Sequence, residues 1–462
     1  MSTAPSLPAP RAGTPLPDGL AAAASPETAP EVWPLTARTV EGRLHVGGVA
    51  LDDLADACGT ALYVVDEADF RHRARLWRES GADRVNYASK AFLCAEMVRW
   101  VDSEGLHLDV CSGGELRLAV DTGFDAARIV FHGNNKAVAE LEAAVAHGVG
   151  VVVVDCLEEI DRLARAAAAA GRVQDVYVRI APGVAAETHD YMATGGDDVE
   201  FGFPVRGGHA ERAVLAVAAR PSLRLAGVHS HIGSQITATE GLTLAAERVA
   251  AFVALLAERH GITVAEIDLG GWRHPLPAGP TLPGPGRVHG RPACRPGTGA
   301  ARLTDTARRR ARPVDDRHRR GDALPRRRRQ GRGLRRRFVS VDGGMSDALR
   351  PSLYLARYTA WTANRPAEGE PVHAVVVGRH CESGDVVVPD IALPEDVAAG
   401  DLLAVPATGA YHHAMASNYN AQPRPAVVAV RDGRARLMVR RETPEDLRRR
   451  DAHGEPVRLT AG

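Results

Sequence analysis

Lysine is almost absent from this chain. Of 57 basic residues only Lys90 and Lys136 are lysines, and the rest are arginine. High-GC coding explains the arginine surplus, so a surviving lysine marks a place that arginine cannot fill. Arginine cannot form a Schiff base with an aldehyde; a lysine amine can. Cysteine is scarce too. Its 6 residues are scattered without paired spacing, which argues against a disulfide framework or a zinc site and suits a reducing cytoplasm. Net charge is absent: 57 basic residues balance 57 acidic ones, so no global field draws the chain toward nucleic acid or a membrane. There is no apolar run long enough to span a bilayer, and no basic region followed by an apolar core at the N-terminus.

What is present is ordinary for a soluble globular protein: 462 residues, 45% hydrophobic and 25% charged. That length predicts two domains, or one large domain with an appendage. Residues 1–32, rich in Ala, Pro, Ser and Thr, read as a disordered tail. Arg43-Leu44-His45-Val46 and Ala61-Leu62-Tyr63-Val64-Val65 read as short strands. Apolar runs at Ile129–Phe131, Val151–Val154, Val176–Ile180, Leu225–Val228 and Ile267–Leu269 then alternate with helical stretches such as 137–147 and 242–259. Repeated strand-then-helix units with buried strands predict a parallel α/β fold, most simply a (β/α)8 barrel of the TIM type over residues 65–337. Functional side chains then belong just after the strands, on the barrel's C-terminal face. From residue 338 to 462 the texture changes to strands separated by Gly, Pro and Asp turns, which predicts a mostly-β C-terminal domain that the strands of residues 33–64 could join.

Lys90 stands in Tyr87-Ala88-Ser89-Lys90-Ala91, at the end of an apolar run as at the end of a barrel strand. Downstream come Asp109-Val110-Cys111-Ser112-Gly113-Gly114-Glu115, His132-Gly133-Asn134-Asn135-Lys136, His229-Ser230-His231-Ile232-Gly233-Ser234-Gln235, Asp268-Leu269-Gly270-Gly271, Ser340-Val341-Asp342-Gly343-Gly344-Met345, Arg350-Pro351, Cys381-Glu382-Ser383-Gly384-Asp385 and Gly409-Ala410-Tyr411. Each is weak alone. In this order, over most of the chain, they resemble the fold-type III pyridoxal-phosphate decarboxylases, and among these the diaminopimelate decarboxylase family.

The resemblance implies a barrel plus a β domain, pyridoxal 5'-phosphate as cofactor, and a homodimer whose active sites are shared between subunits. It implies that Lys90 holds the cofactor's aldehyde and that His231 stacks on the ring. Ser234 and the Gly270-Gly271 backbone would face the phosphate, where small residues allow close approach. Tyr411 would also touch the cofactor. Cys381 would be the general acid, supplied across the dimer interface. Glu382 suits a distal ammonium; Arg350 and Tyr354 suit a distal carboxylate, because a guanidinium pairs with one bidentately. The implied reaction is the decarboxylation of meso-2,6-diaminopimelate to L-lysine and carbon dioxide. A related decarboxylase of specialised metabolism is the alternative, and a catalytically impaired chain keeping only binding or dimerisation is a third reading. The Cys381-Glu382 pair argues against a racemase. Lys136 reads as a loop residue after a strand, and Cys111 as equally suited to packing.

The resemblance breaks over residues 273–337. This stretch of 65 residues holds 20 Arg, four Asp, no Lys and no Glu, and shows no apolar periodicity. The family pattern calls for a third glycine where Trp272 stands, and then for a Glu-Pro-Gly-Arg motif. Trp272-Arg273 written TGG CGN yields a glycine codon one base later. Arg310-Ala311-Arg312-Pro313-Val314 written CGA GCC CGG CCG GTC yields Glu-Pro-Gly-Arg in that same frame. The stretch therefore reads as a compensated change of frame, and residues 273–337 are expected to be irregular. The absent glutamate is the one implied to pair with the cofactor's ring nitrogen, which puts the activity of the chain as written in doubt. A smaller departure is Glu200, where the pattern has lysine before Phe-Gly.

Overall fold

A computed structural model describes residues 21–184, 200–233, 240–272, 287–292, 300–305, 337–452 and 454. The chain divides into two compact units: residues 67–299 with 409–414, and residues 1–66 with 300–408 and 415–462.

The first unit is a closed parallel barrel. Its strands run Arg84–Ala88, His107–Val110, Ile129–Phe131, Val151–Val154, Gln174–Ala181, Leu223–His229, Glu266–Trp272 and Arg287–Pro292. Each pairs with the next in parallel, and Gly290↔Val85 joins the eighth strand back to the first. The strands are near-continuous aliphatic runs because both faces are covered. Val151, Val152, Val153 and Val154 are all buried. The helix Leu157–Ala169 turns Ile160, Leu163 and Ala167 inward at helical spacing, and Glu240–His260 does the same with Leu242, Ala245, Val249, Phe252 and Leu256. Burying Leu163 fully favours this arrangement by about 2 kcal/mol.

Among the described residues the second unit carries three sheets. The largest orders Trp361–Thr362, Leu402–Pro406, Ala300–Asp305, Leu62–Asp66, Ala426–Arg431 and Arg434–Val439. A four-stranded sheet joins Ala21–Ala22, Val386–Pro394, Pro371–Val377 and Arg337–Ser340, and a small meander spans Arg38–Ala50. Trp33, Leu44, Leu51, Leu62, Val64, Leu402, Val428 and Val430 form one core, and Val339, Val376, Val388, Ile391 and Leu403 belong to another.

Two expectations need correction. Residues 273–337 are not irregular throughout. Arg287–Pro292 fills the gap between Glu266–Trp272 and Arg84–Ala88, and Ala300–Asp305 pairs antiparallel with Leu62–Asp66 and Leu402–Pro406. A ladder is made of backbone groups. An open barrel edge recruits any chain that can reach it, largely whatever its side chains. The rest of that stretch lies outside the described residues. Part of the presumed tail is also placed: Ala21–Ala22 pairs with Ile391–Ala392, and the Trp33 indole donates to Ala24 O at 2.8 Å.

Candidate active site

The described residues of the barrel motifs lie in the C-terminal part of their strands or just beyond it. Lys90 sits in the single 3-10 turn Ser89–Ala91 that follows Arg84–Ala88. The turn is tied down from both sides. Tyr87 is fully buried and donates its hydroxyl to Phe92 O at 2.7 Å. Tyr411 N donates to Ala91 O at 2.9 Å, and Phe92 meets His413 edge-to-face at 5.4 Å. Tyr411 has φ 59°, a left-handed conformation uncommon for a residue with a side chain. Lys90 itself is exposed. A rigid turn thus presents a solvent-facing amine at the barrel mouth.

The sixth and seventh strands, Leu223–His229 and Glu266–Trp272, build a second wall. His231 is buried, and Gly270 lies against it. A Cβ on Gly270 would stand 2.6 Å from His231 Nδ1 and 2.7 Å from Ser230 O, and φ there is +76°, so only glycine fits. Asp268 locks the two segments together. Its carbonyl accepts from Ser230 N and its Oδ1 from Gly270 N, each at 2.8 Å, while Oδ2 lies 3.1 Å from His229 Nδ1. The His229 ring packs on His132 at 4.9 Å, and His132 Nε2 lies 3.2 Å from Asp109 Oδ1. Sequence reading did not single out this buried Asp-His-His-Asp set. The i, i+2 spacing of His229 with His231 and of Asp268 with Gly270 was the available signal, since alternate residues share a strand face. Ser234 lies outside the described residues.

In the second unit, Cys381 and Glu382 are exposed on the loop 379–384. The loop's geometry comes from Asp385, a buried carboxylate that accepts from His380 N at 2.7 Å and Met345 N at 2.5 Å. The His380 ring stacks on Tyr419 at 5.3 Å and lies 2.9 Å from Ser346 Oγ. Cys381 N donates to Asn420 Oδ1 at 3.3 Å, and the Tyr419 hydroxyl reaches Glu382 Oε2 at 3.5 Å. Arg350 opens the helix Leu349–Tyr354, is buried, and donates to the Tyr358 hydroxyl at 3.1 Å. Tyr354, half-buried, closes the same helix.

The barrel residues suit a cofactor with an aldehyde at one end and an anion at the other. A lysine amine is exposed, a glycine cradle excludes any Cβ beside a buried imidazole, and the buried Oγ atoms of Ser89 and Ser230 have no hydrogen-bond partner among the described residues. The chain as written has no Glu between residues 273 and 337 to meet a ring nitrogen.

Comparison with known proteins agrees. Residues 67–272 match the family described as pyridoxal-dependent decarboxylase, pyridoxal binding domain, and residues 313–409 match its C-terminal sheet domain. The chain is 47% identical over 430 residues to a diaminopimelate decarboxylase of Actinosynnema pretiosum, covering 91% of this chain and 95% of that one. It is 42% identical over 419 residues to the Bacillus subtilis enzyme of that name, covering 88% and 94%. Among solved structures, the diaminopimelate decarboxylase of Helicobacter pylori complexed with L-lysine superposes with TM-score 0.75 at 27% identity, over 86% of this chain and 98% of that one. The M. jannaschii enzyme superposes at 0.77, also at 27% identity, over 91% and 98%. The chain belongs to the pyridoxal-dependent decarboxylases, which are carboxy-lyases that work with pyridoxal 5'-phosphate. The first family match stops at Trp272, the residue where the sequence pattern breaks, and the second begins at residue 313, within the arginine-rich stretch.

Proposed function

We propose that this chain decarboxylates meso-2,6-diaminopimelate to L-lysine and carbon dioxide, in the cytoplasm, as a homodimer. The observation that carries the reading is Lys90, one of two lysines in the chain, placed on a fixed turn at the barrel mouth. When bound, pyridoxal 5'-phosphate supplies the electron sink for the charge left behind as carbon dioxide departs. Lys90 would hold the aldehyde end through its amine. His231 would lie against the ring. The Gly270-Gly271 backbone and Ser234 would receive the phosphate, and Tyr411 would contact the cofactor. Cys381 of the second copy returns a proton to the substrate α-carbon. Glu382 takes the distal ammonium, and Arg350 with Tyr354 takes the distal carboxylate, which selects a substrate charged at both ends. In this reading the β domain begins with residues 33–64, takes in Ala300–Asp305, and continues from 338.

Carbon dioxide release from meso-diaminopimelate, set against lysine, ornithine and arginine, tests the reading. Preference for lysine or ornithine would overturn the substrate assignment. A second reading rests on the missing glutamate of residues 273–337: the chain as written binds cofactor but turns over weakly. Resequencing the DNA across codons 268–342 separates the two. An altered base near codon 272, compensated before codon 338, restores the family motif and the first reading.

A further inference from the structure

The second lysine is as unusual as the first. Lys136 is 2% exposed. Its ammonium donates to Gly133 O at 2.7 Å and Val153 O at 2.8 Å, and lies 2.8 Å from Glu159 Oε1. An ammonium has three N–H donors, and here three acceptors surround it. The acceptors come from three places: the turn after Ile129–Phe131, the end of Val151–Val154, and the helix Leu157–Ala169. A planar, five-donor guanidinium cannot match three converging acceptors in so closed a space. In a chain that otherwise uses arginine throughout, this explains why lysine stands here.

The turn that Lys136 holds is the one that carries His132. Gly133 adopts φ +117°, and a Cβ on it would lie 3.2 Å from Cys111 O, so the turn packs tightly on the neighbouring strand end. His132 N donates to Val110 O at 2.7 Å, and its ring abuts His229. His229 pairs with Asp268, and Asp268 fixes Ser230 and Gly270 on either side of His231. A continuous set of contacts therefore leads from Lys136 to the wall that faces the cofactor.

We propose that Lys136, with Glu159 as its counter-ion, is a positioning residue that sets the His132–His229–Asp268 stack and through it the place of His231 and Gly270. The final step rests on the cofactor role of His231 and Gly270 proposed above; the effect on the histidine stack does not. Loss of the pin leaves the stack free to shift, and the imidazole and glycine turn no longer meet the cofactor squarely.

The test uses the full chain with Lys136→Arg, and with the double change Lys136→Met/Glu159→Leu, which removes both charges so that neither is left buried alone. Two readouts are followed. The first is the imidazole ¹⁵N spectrum of the cofactor-stripped protein, with His132 and His229 assigned by single substitution. The second is titration with pyridoxal 5'-phosphate, read by the absorbance and induced circular dichroism of the lysine-bound cofactor. In both variants we expect displaced His132 and His229 signals, cofactor affinity lowered about tenfold or more, and an altered dichroic band with Lys90 still modified. Unmoved histidine signals in a folded double variant would overturn the proposal. Displaced histidines with unchanged affinity and dichroism would overturn only the link to the cofactor. Absence of a lysine-bound band in the parent protein would refute the role given to Lys90 while leaving the histidine result to decide the pin. Should Lys136→Arg fail to fold, the double variant decides alone.

Discussion

His229 Nδ1 lies 3.1 Å from Asp268 Oδ2, and neither side chain has any solvent exposure. The same carboxylate caps Gly270 N, so one aspartate orients an imidazole and a glycine turn at once. Asp268→Ala leaves the Gly270 amide and His229 without this acceptor. We expect it to lower unfolding free energy by about 3 kcal/mol, and Asp268→Asn by about half as much, since an amide oxygen can still accept from Gly270. Urea unfolding measures both, and a parental midpoint for Asp268→Ala would show that the carboxylate adds nothing.

Gly270→Ala places a methyl 2.6 Å from His231 Nδ1 in a backbone conformation that disfavours it. Something has to move, and the neighbours are an imidazole and a carbonyl rather than a flexible side-chain end. A loss of about 1–3 kcal/mol in cofactor binding is expected, visible as a weaker titration endpoint with pyridoxal 5'-phosphate.

Lys90 is exposed and on a turn held by Tyr87 and Tyr411, so replacing it leaves the fold intact. Lys90→Ala and Lys90→Arg should both abolish the near-ultraviolet or visible band of the lysine-bound cofactor, because a guanidinium cannot substitute for the amine. Borohydride reduction followed by mass spectrometry should find the added mass on the parent peptide and on neither variant.

Cys381 is exposed, whereas Cys94 is buried and its thiol is pushed up by that burial. Cys381→Ala should keep the bound-cofactor spectrum and lower the rate of carbon dioxide release by about 10²–10⁴-fold, the range of a lost general acid. Cys94→Ala should leave that rate nearly untouched. Equal effects at the two positions would remove the acid role from Cys381.

Asp396 sits on the second unit's surface with its carboxylate against Arg365, and it also accepts from Glu368 N and Gly369 N. The guanidinium and the amides hold its pKa at about 2, below the ordinary 3.8. A depressed pKa stabilises the folded state above the ordinary value, and the contribution is lost as pH falls from there toward 2. Asp396→Asn should therefore flatten part of the acid-induced loss of stability between about pH 4 and pH 2. Thermal melts across that window, with and without added salt, check it.

The barrel's strands were legible because buried parallel strands are written as aliphatic runs. Ile129–Phe131 and Val151–Val154 end where the sequence places them, and the helix read at 137–147 forms as Val138–His147. The eighth strand was not legible. Arg287–Pro292 carries no apolar pattern, and it pairs because the ring of strands has one opening left. For the same reason Ala300–Asp305, counted by sequence with the barrel, belongs with the β sheet that surrounds it. Lys136 was read as a loop residue, and it does follow a strand. Its burial beside Glu159 was hidden because the partner lies in the next strand-helix unit, 23 positions on.

The sequence by itself determined which residues can carry chemistry. A rare lysine among arginines, a histidine beside glycines, and a cysteine beside a glutamate are properties of residue type and order, and they need no third dimension. Only the tertiary structure decided what holds them. Asp268 with His229, Lys136 with Glu159, and Asp385 with Met345 join segments that the chain separates by tens of residues. Such pairs form because burial strips water from a charged group and leaves it only the partners that folding brings within reach.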